Sequence, residues 1–341
     1  MLRVLGNIAL VLLGLLLLAA LALHFSARAA LDHEFTYTAA TEKLPWLTPD
    51  APDGIVKVRS GDFVFRTRVA GFTTNPEGPV VLLLHGWPTT SAMYIDLIPQ
   101  LAAAGFRVLA PDQRGYSPGA RPRGSAAYGV DLLARDMFEF ATSVGAERFH
   151  LLGHDWGAVV GWQMVLMEPD RLMSWTALSI PHIAAFNEAI AEDPEQRSRS
   201  AYIVLFATPW LAESLFAMRD MLAMRVALEP MSDTQMSEYL AMLREPGALT
   251  ATFNWYRATV SDAPAPSTLE GEVHTPTLFV WGGNDPAVAR YGVEAQRKYM
   301  KGPFEEVEVD AGHWLLREQG EATTVAVLSH LARYSNQTYS R

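Results

Sequence analysis

Three side chains in this sequence have the types and settings that nucleophilic and acid–base chemistry needs: Asp155, Asp285 and His313. Asp155 stands in FHLLGHDWGAVVG, residues 149–161, where strand-compatible residues run into Gly153-His154-Asp155-Trp156-Gly157 and small, apolar residues follow at helical spacing. The pattern is strand, abrupt turn, helix. A turn that sharp lifts one side chain clear of a sheet, as a nucleophile elbow does, with Asp155 where a serine hydrolase carries Ser. An aspartate that merely caps the helix is the other reading. Asp285 follows the apolar run PTLFVW (276–281) and Gly-Gly-Asn, and a turn aspartate would look the same. His313 follows Gly312 just past FEEVEV (304–309), at a strand end rather than on an apolar helix face, which favours catalysis over a filler core histidine. The chain order is nucleophile, acid, base, with Asp285 accepting from one ring nitrogen of His313 to fix its tautomer.

A carboxylate nucleophile narrows the reaction. It can displace a leaving group from saturated carbon, and the product is an ester whose carbonyl water can attack. A serine would leave an ether that water does not easily cleave. In the second step His313 is the general base on water, and the oxyanion is held by the backbone N–H groups of Trp156 and Trp87. Trp87 lies in His85-Gly86-Trp87-Pro88, and its ring can also serve as pocket wall. This chemistry calls for no metal or organic cofactor. Gly115-Tyr116-Ser117-Pro118-Gly119 fits the serine-hydrolase pentapeptide letter for letter, but Pro118 and the residues after it do not open a helix, so Ser117 is read as a loop residue.

The elements that must position these groups are legible in order. Ile55–Arg59 and Phe63–Val69 alternate about Ser60-Gly61-Asp62, a hairpin. Pro79–Leu84, Phe106–Ala110, Phe149 onward, Ser174–Ile180, Pro276–Trp281 and Phe304–Val309 read as strands, most of them continuously apolar as strands buried on both faces are. Helices are expected over Ser91–Ala104, Val130–Val144 and Glu321–Arg333. The rhythm predicts an α/β fold with a doubly wound, mostly parallel sheet whose ligand binds at the carboxyl ends of the strands. From Pro181 to about residue 270 the chain turns helical and rich in Met and aromatics, with a capping box at Ser232 and Gln235 and a break at Pro246-Gly247, which predicts an inserted cap. The expected division is 1–34 anchor and tether, 35–180 first half of the core, 181–270 cap and 271–341 second half.

Composition bounds the partners. Half of the 341 residues are hydrophobic, enough for a large core, and 27 basic against 37 acidic residues leave a net charge of −10. That charge argues against nucleic acid or anionic lipid held by electrostatics and suits a small, largely neutral substrate. Cysteine is absent, which removes disulfides and thiol chemistry. Val4–Leu23 carries no charge and one polar side chain, Asn7, and as a helix would span roughly 30 Å, a bilayer's hydrocarbon thickness. An uncleaved single-pass anchor is expected, with Arg3 on the cytoplasmic side and the main domain across the membrane. A signal peptide cleaved near Ala29, giving a secreted or periplasmic protein, is the alternative. Residues 35–53, broken by three prolines, suit a tether, and Asn336-Gln337-Thr338 matches a glycosylation sequon. Oligomeric state is not readable.

Taken together, HGWP at 85–88, GHDWGA at 153–158, WGGND at 281–285 and GHW at 312–314 resemble the epoxide hydrolase branch of the α/β-hydrolase superfamily, from about Ile55 to near the C-terminus. The resemblance implies a small apolar epoxide as substrate and a cap that donates two tyrosine hydroxyls to the epoxide oxygen. Asn254-Trp255-Tyr256-Arg257 matches the family's second tyrosine motif, and Tyr202 falls where the first is found, though less closely. Either tyrosine can instead be cap core with its hydroxyl on a carbonyl. The chain also resembles haloalkane dehalogenases, which share the Asp-Trp elbow, but many of those carry Asn where Trp87 stands and lack the paired tyrosines. Fluoroacetate dehalogenases typically place Arg where Trp156 stands. A ligand-binding protein that no longer turns over would show a broken triad, and this one is complete.

Overall fold

The computed structural model describes residues 2–31, 43–260 and 271–335, with the side chains of 11–25 described in the first of these. Eight strands form one sheet: β1 Gly54–Ser60, β2 Phe63–Ala70, β3 Val80–Leu84, β4 Arg107–Pro111, β5 Phe149–His154, β6 Leu172–Leu178, β7 Thr277–Gly282 and β8 Phe304–Val309. Their spatial order is β1-β2-β4-β3-β5-β6-β7-β8. Only β2 runs against its neighbours, pairing antiparallel with β1 and β4, and the register from β4 to β8 is parallel throughout. The continuously apolar runs explain the middle of the sheet: every residue of β3, β5 and β7 is buried, as strands covered by helices on both faces must be.

The helices are α1 Leu2–Leu31, α2 Ile98–Ala103, α3 Val130–Ser143, α4 Trp156–Met167, α5 Ile183–Glu192, α6 Pro194–Arg199, α7 Tyr202–Ala207, α8 Leu211–Ala227, α9 Asp233–Leu243, α10 Ala248–Val260, α11 Arg290–Ala295, α12 Leu315–Glu318 and α13 Gly320–Ser335. Helices α5 to α10 all fall between β6 and β7. The capping box forms as the sequence predicts: the Ser232 hydroxyl accepts from the Gln235 N–H, and the Gln235 side chain accepts from the Ser232 N–H at 3.1 Å. Gln235 also donates to the Ala92 carbonyl, and Glu238, on the same helix, meets Arg66 of β2 at 3.1 Å and accepts from the Thr90 hydroxyl. Arg66 is itself paired with buried Asp112 at 2.7 Å. These charges are hydrogen-bonded on several sides, as buried charges need to be.

Two expectations are corrected. The helix expected over Ser91–Ala104 is a 3₁₀ turn at Ser91–Tyr94 and then α2, because Pro99, in the first turn of α2, has no N–H to give the Ile95 carbonyl and cannot lie inside a continuous helix. The described end of the expected tether, residues 43–53, packs on β1: Lys57 donates to the Pro45 carbonyl and Leu47 to the Lys57 carbonyl. Among the described residues no single helix is long and apolar enough to cross a membrane; the apolar stretch described within α1 is Val11–Phe25. The prolines expected to lead back from the cap, at 264 and 266, and the sequon at 336–338 lie outside the described residues.

Candidate active site

Strand β5 ends at His154 and α4 begins at Trp156, so one residue makes the turn. Asp155 does so at φ 52°, ψ −122°, a conformation that costs an L-residue energy and persists only where its surroundings enforce it. Its side chain makes no capping bond to α4, which excludes the helix-cap reading. Instead Oδ1 accepts the backbone N–H of Trp87 at 2.7 Å, from the loop after β3. That loop must come very close. A methyl group on Gly86 would collide with the Asp155 carboxylate, so only glycine lets the chain pass. His85 ties the loop down: its Nδ1 meets the Gly86 carbonyl and its Nε2 accepts from the Gln113 N–H, each at 3.0 Å. Burial lowers the pKa of His85, which keeps the ring in the neutral form this pairing requires.

His313, past β8, points Nε2 toward Asp155 Oδ2 at 3.6 Å and places Nδ1 2.9 Å from Asp285 Oδ2. Asp285, past β7, is fully buried. Its Oδ1 accepts the N–H groups of Ala287 at 2.7 Å and Val288 at 3.2 Å. Burial pushes its pKa up, but the His313 charge and the hydrogen bonds from His313, Ser179 and Ala287 outweigh this and hold it below the usual value. Burial also disfavours protonation of His313, yet the flanking charges of Asp285 and Asp155 lift its pKa to about 10. His154 donates Nε2–H to the His313 carbonyl at 2.8 Å and fixes that loop from below. Burial and the neighbouring His313 lower its own pKa to about 4, so it stays neutral.

Ser179 is the residue that the motifs do not reveal. It follows β6 at φ 76°, buried, and its hydroxyl donates to Asp285 Oδ2 at 2.5 Å while lying 3.1 Å from His313 Nδ1. A serine after an apolar strand carries no motif; the one local signal would have been its position at a strand's carboxyl end, shared with the triad.

Above Asp155 lie the cap aromatics. Tyr256 of α10 packs edge-on against the Trp156 ring at 5.0 Å and the Trp87 ring at 5.8 Å, and Tyr202 of α7 faces Tyr256 at 6.3 Å. Both hydroxyls have raised pKa values, first through burial and then through neighbouring charge that includes Asp155, so both remain protonated donors near neutrality. Phe206 and Phe253 close the wall around Trp87, at 4.5 and 5.6 Å. Ser117 stays apart in a loop, accepting from the Arg66 N–H and donating to the Asp112 carbonyl. The structure therefore brings Asp155, Asp285, His313, Trp87, Trp156, Tyr202 and Tyr256 together at the carboxyl ends of the strands, and the arrangement sets a carboxylate among a histidine–aspartate pair and two phenols.

The comparisons agree with this geometry. Residues 79–319 match the model of the family described as alpha/beta hydrolase fold. Epoxide hydrolase A of Mycobacterium tuberculosis is 33% identical over 297 residues, covering 75% of this chain and 91% of the relative. Human epoxide hydrolase 4 is 28% identical over 265 residues, covering 74% and 72%. Among solved structures, epoxide hydrolase A from Mycobacterium thermoresistibile superposes with a TM-score of 0.66 at 25% identity, covering 82% of this chain and 98% of that one. The chain thus belongs to the alpha/beta hydrolase fold family, as an epoxide hydrolase-like member of it.

Proposed function

We propose that the protein hydrolyses epoxides to vicinal diols through an ester on Asp155. The observation that carries the reading is the meeting of two protonated cap tyrosines with a carboxylate that is itself flanked by a histidine–aspartate pair. Asp155 attacks a ring carbon; the C–O bond breaks and the departing oxygen takes a proton from Tyr256 or Tyr202. The ester carbonyl oxygen then lies where the Trp87 N–H already donates, with the Trp156 N–H as second donor. Esterification removes the charge of Asp155, one of the two that keep His313 protonated, so the base is released when the intermediate needs it. His313 takes a proton from water, the hydroxide adds to the ester carbonyl, and collapse restores the carboxylate and frees the diol. The proton that His313 gave up on esterification is the one that re-forms the phenol from the tyrosinate, and the one taken from water leaves His313 protonated as it began, so the sum is epoxide plus water to diol.

His313→Gln tests the two steps separately. Exposed to styrene oxide, it is expected to accumulate Asp155 heavier by one styrene oxide in a peptide mass map, with diol formation reduced at least ~100-fold. An unmodified Asp155 beside an active wild type would end the ester mechanism. Wild-type protein given 1-bromobutane in parallel discriminates the departing atom: bromide release without diol from styrene oxide would make the protein a dehalogenase.

We further infer that α1 anchors the protein in a membrane through residues 4–23, with the catalytic domain on the extracytoplasmic side. Support comes from a helix of 30 residues, about 45 Å at 1.5 Å per residue, whose described leucines are largely exposed, from Leu21 at 51% to Leu16 at 68%. Protease digestion of the domain in intact cells but not in sealed inside-out vesicles is the expected result, and the reverse pattern would invert the topology.

A further inference from the structure

We propose that the outer face of the helical cap rests on the same bilayer that holds α1, so that lipophilic epoxides reach Asp155 from the membrane through the cap. The inference rests on the membrane reading of α1 above and adds a second contact to it.

Val204 on α7 is 71% exposed, and Trp210, Leu211, Leu222 and Val226, at the start of and along α8, are 50, 38, 46 and 67% exposed. They remain so although α1 packs along α8 and the Trp210 indole donates to His24 Nδ1 at 2.7 Å. An exposed apolar residue alone means little, but a cluster on adjoining helices marks a contact surface. What covers it follows from continuity. The cluster joins α1 at Trp210 and His24, and the exposed large side chains of α1 on the amino side of that junction, Val11 to Leu21, are all apolar, so whatever medium takes α1 also reaches the cap. A tryptophan with its indole N–H satisfied, where an apolar helix meets a domain, suits the membrane–water boundary. Of the charges beside the cluster, Arg225 and Arg244 share Asp220, which leaves no excess negative charge there. With a net charge of −10 on the chain, hydrocarbon and a neutral headgroup fit better than anionic lipid.

The inner side of the same helix gives the contact its consequence. On α7, Tyr202 and Phe206 face Tyr256 and Trp87, while Val204 between them faces outward. One helix thus separates the candidate proton donor from the proposed bilayer surface. The substrate class this selects is a long-chain alkyl epoxide that partitions into lipid.

The chain has no cysteine, so single-cysteine reporters need no background removal. Spin labels at Val204→Cys and Val226→Cys, with Leu16→Cys on α1 and Glu147→Cys before the amino end of β5, would be read in the full chain reconstituted in phosphatidylcholine vesicles. Accessibility to oxygen and to a water-soluble nickel chelate is compared at each. The expected result is lipid-like relaxation at 204, 226 and 16 and water-like relaxation at 147. Water-like relaxation at 204 and 226 with 16 in lipid overturns the cap contact and leaves the anchor standing. Shielding of 204 and 226 from both reagents assigns the face to a second copy of the chain, which also overturns it. A water-exposed label at 16 overturns both readings. As an activity arm, Val204→Glu with Val226→Glu should raise KM at least fivefold for 1,2-epoxyoctadecane supplied in vesicles and leave styrene oxide in buffer unchanged. An equal effect on both substrates would refute entry through this face.

Discussion

Ser179 shows how much of the geometry around Asp285 and His313 is set by a residue to which the proposed reaction gives no chemical step. Its hydroxyl has one proton, and that proton goes to Asp285 Oδ2, the oxygen that also meets His313 Nδ1. The remaining lone pairs sit 3.1 Å from the same ring nitrogen, so Ser179 touches both partners at once. Hydrogen bonds to charged groups are worth about 1.5–3 kcal/mol, or roughly 10- to 100-fold in rate. Ser179→Ala should slow hydrolysis of the Asp155 ester by that factor and leave the alkylation step unchanged, so that the ester accumulates during turnover with styrene oxide. Rapid-quench mass spectrometry measures both steps. Ser179→Gly separates the hydroxyl from the backbone: glycine adopts φ 76° without strain, so if the strained backbone were what mattered this variant would keep wild-type kinetics. It is expected to be as slow as the alanine variant.

At the scale of elements, the elbow works because β5, β3 and α4 approach more closely than side chains allow. A Cβ at Gly157, in the first turn of α4, would strike the Leu84 carbonyl at the end of β3. Backbone cannot move aside there, since Leu84 pairs with β5 and its carbonyl also accepts the Tyr94 hydroxyl at 2.7 Å. Gly157→Ala should therefore destabilise the fold by about 3 kcal/mol through overpacking, although in an unhindered helix the same change stabilises by about 1 kcal/mol. Thermal melting in detergent reads the sign; a higher melting temperature would mean that α4 stands farther from β3. Such contacts also mark what was legible beforehand. The strands and their carboxyl-end residues Trp87, Asp155, Asp285 and His313 could be read because an apolar run followed by Gly and a polar residue is a local pattern. Tyr256 was found through a resemblance of four residues, NWYR, and not through any period. Ser179 was not found, because its meaning is a bond to a residue 106 positions away. The broken helix after Ser91 was missed although its cause is local: Pro99 cannot lie inside a continuous helix. The packing of residues 43–53 was missed too, since prolines that look like a tether also suit a chain lying along β1.

For the whole molecule, buried histidines set the pH range in which the fold holds. Burial lowers the pKa of His150 to about 3 and those of His154, His182 and His330 to about 4. These four are spread through the core: His150 and His154 on β5, His182 before α5 and stacked on Tyr299 at 4.4 Å, His330 on α13. Unfolded, each binds a proton at about pH 6.5. Their neutral burial therefore stabilises fully above that value, and the contribution is lost as pH falls toward 4, where the unfolded chain holds about one more proton per histidine. Asp136, raised by burial against its bidentate pair with Arg114 at 2.6 Å, has the opposite sign but is a single group. His313 also runs the other way. Its folded pKa of about 10 lies above the unfolded value, so its stabilisation is complete below pH 6.5 and is lost as pH rises through 10. Melting temperature should accordingly peak near pH 6.5 to 7 and fall on both sides, more steeply on the acid side, where these four act together with His85, which burial also lowers. His330→Phe, far from Asp155, should flatten the acid limb by about one proton without changing the alkaline limb. An acid limb that begins only below pH 4, in the carboxylate range, would show that these histidines are not held neutral by burial.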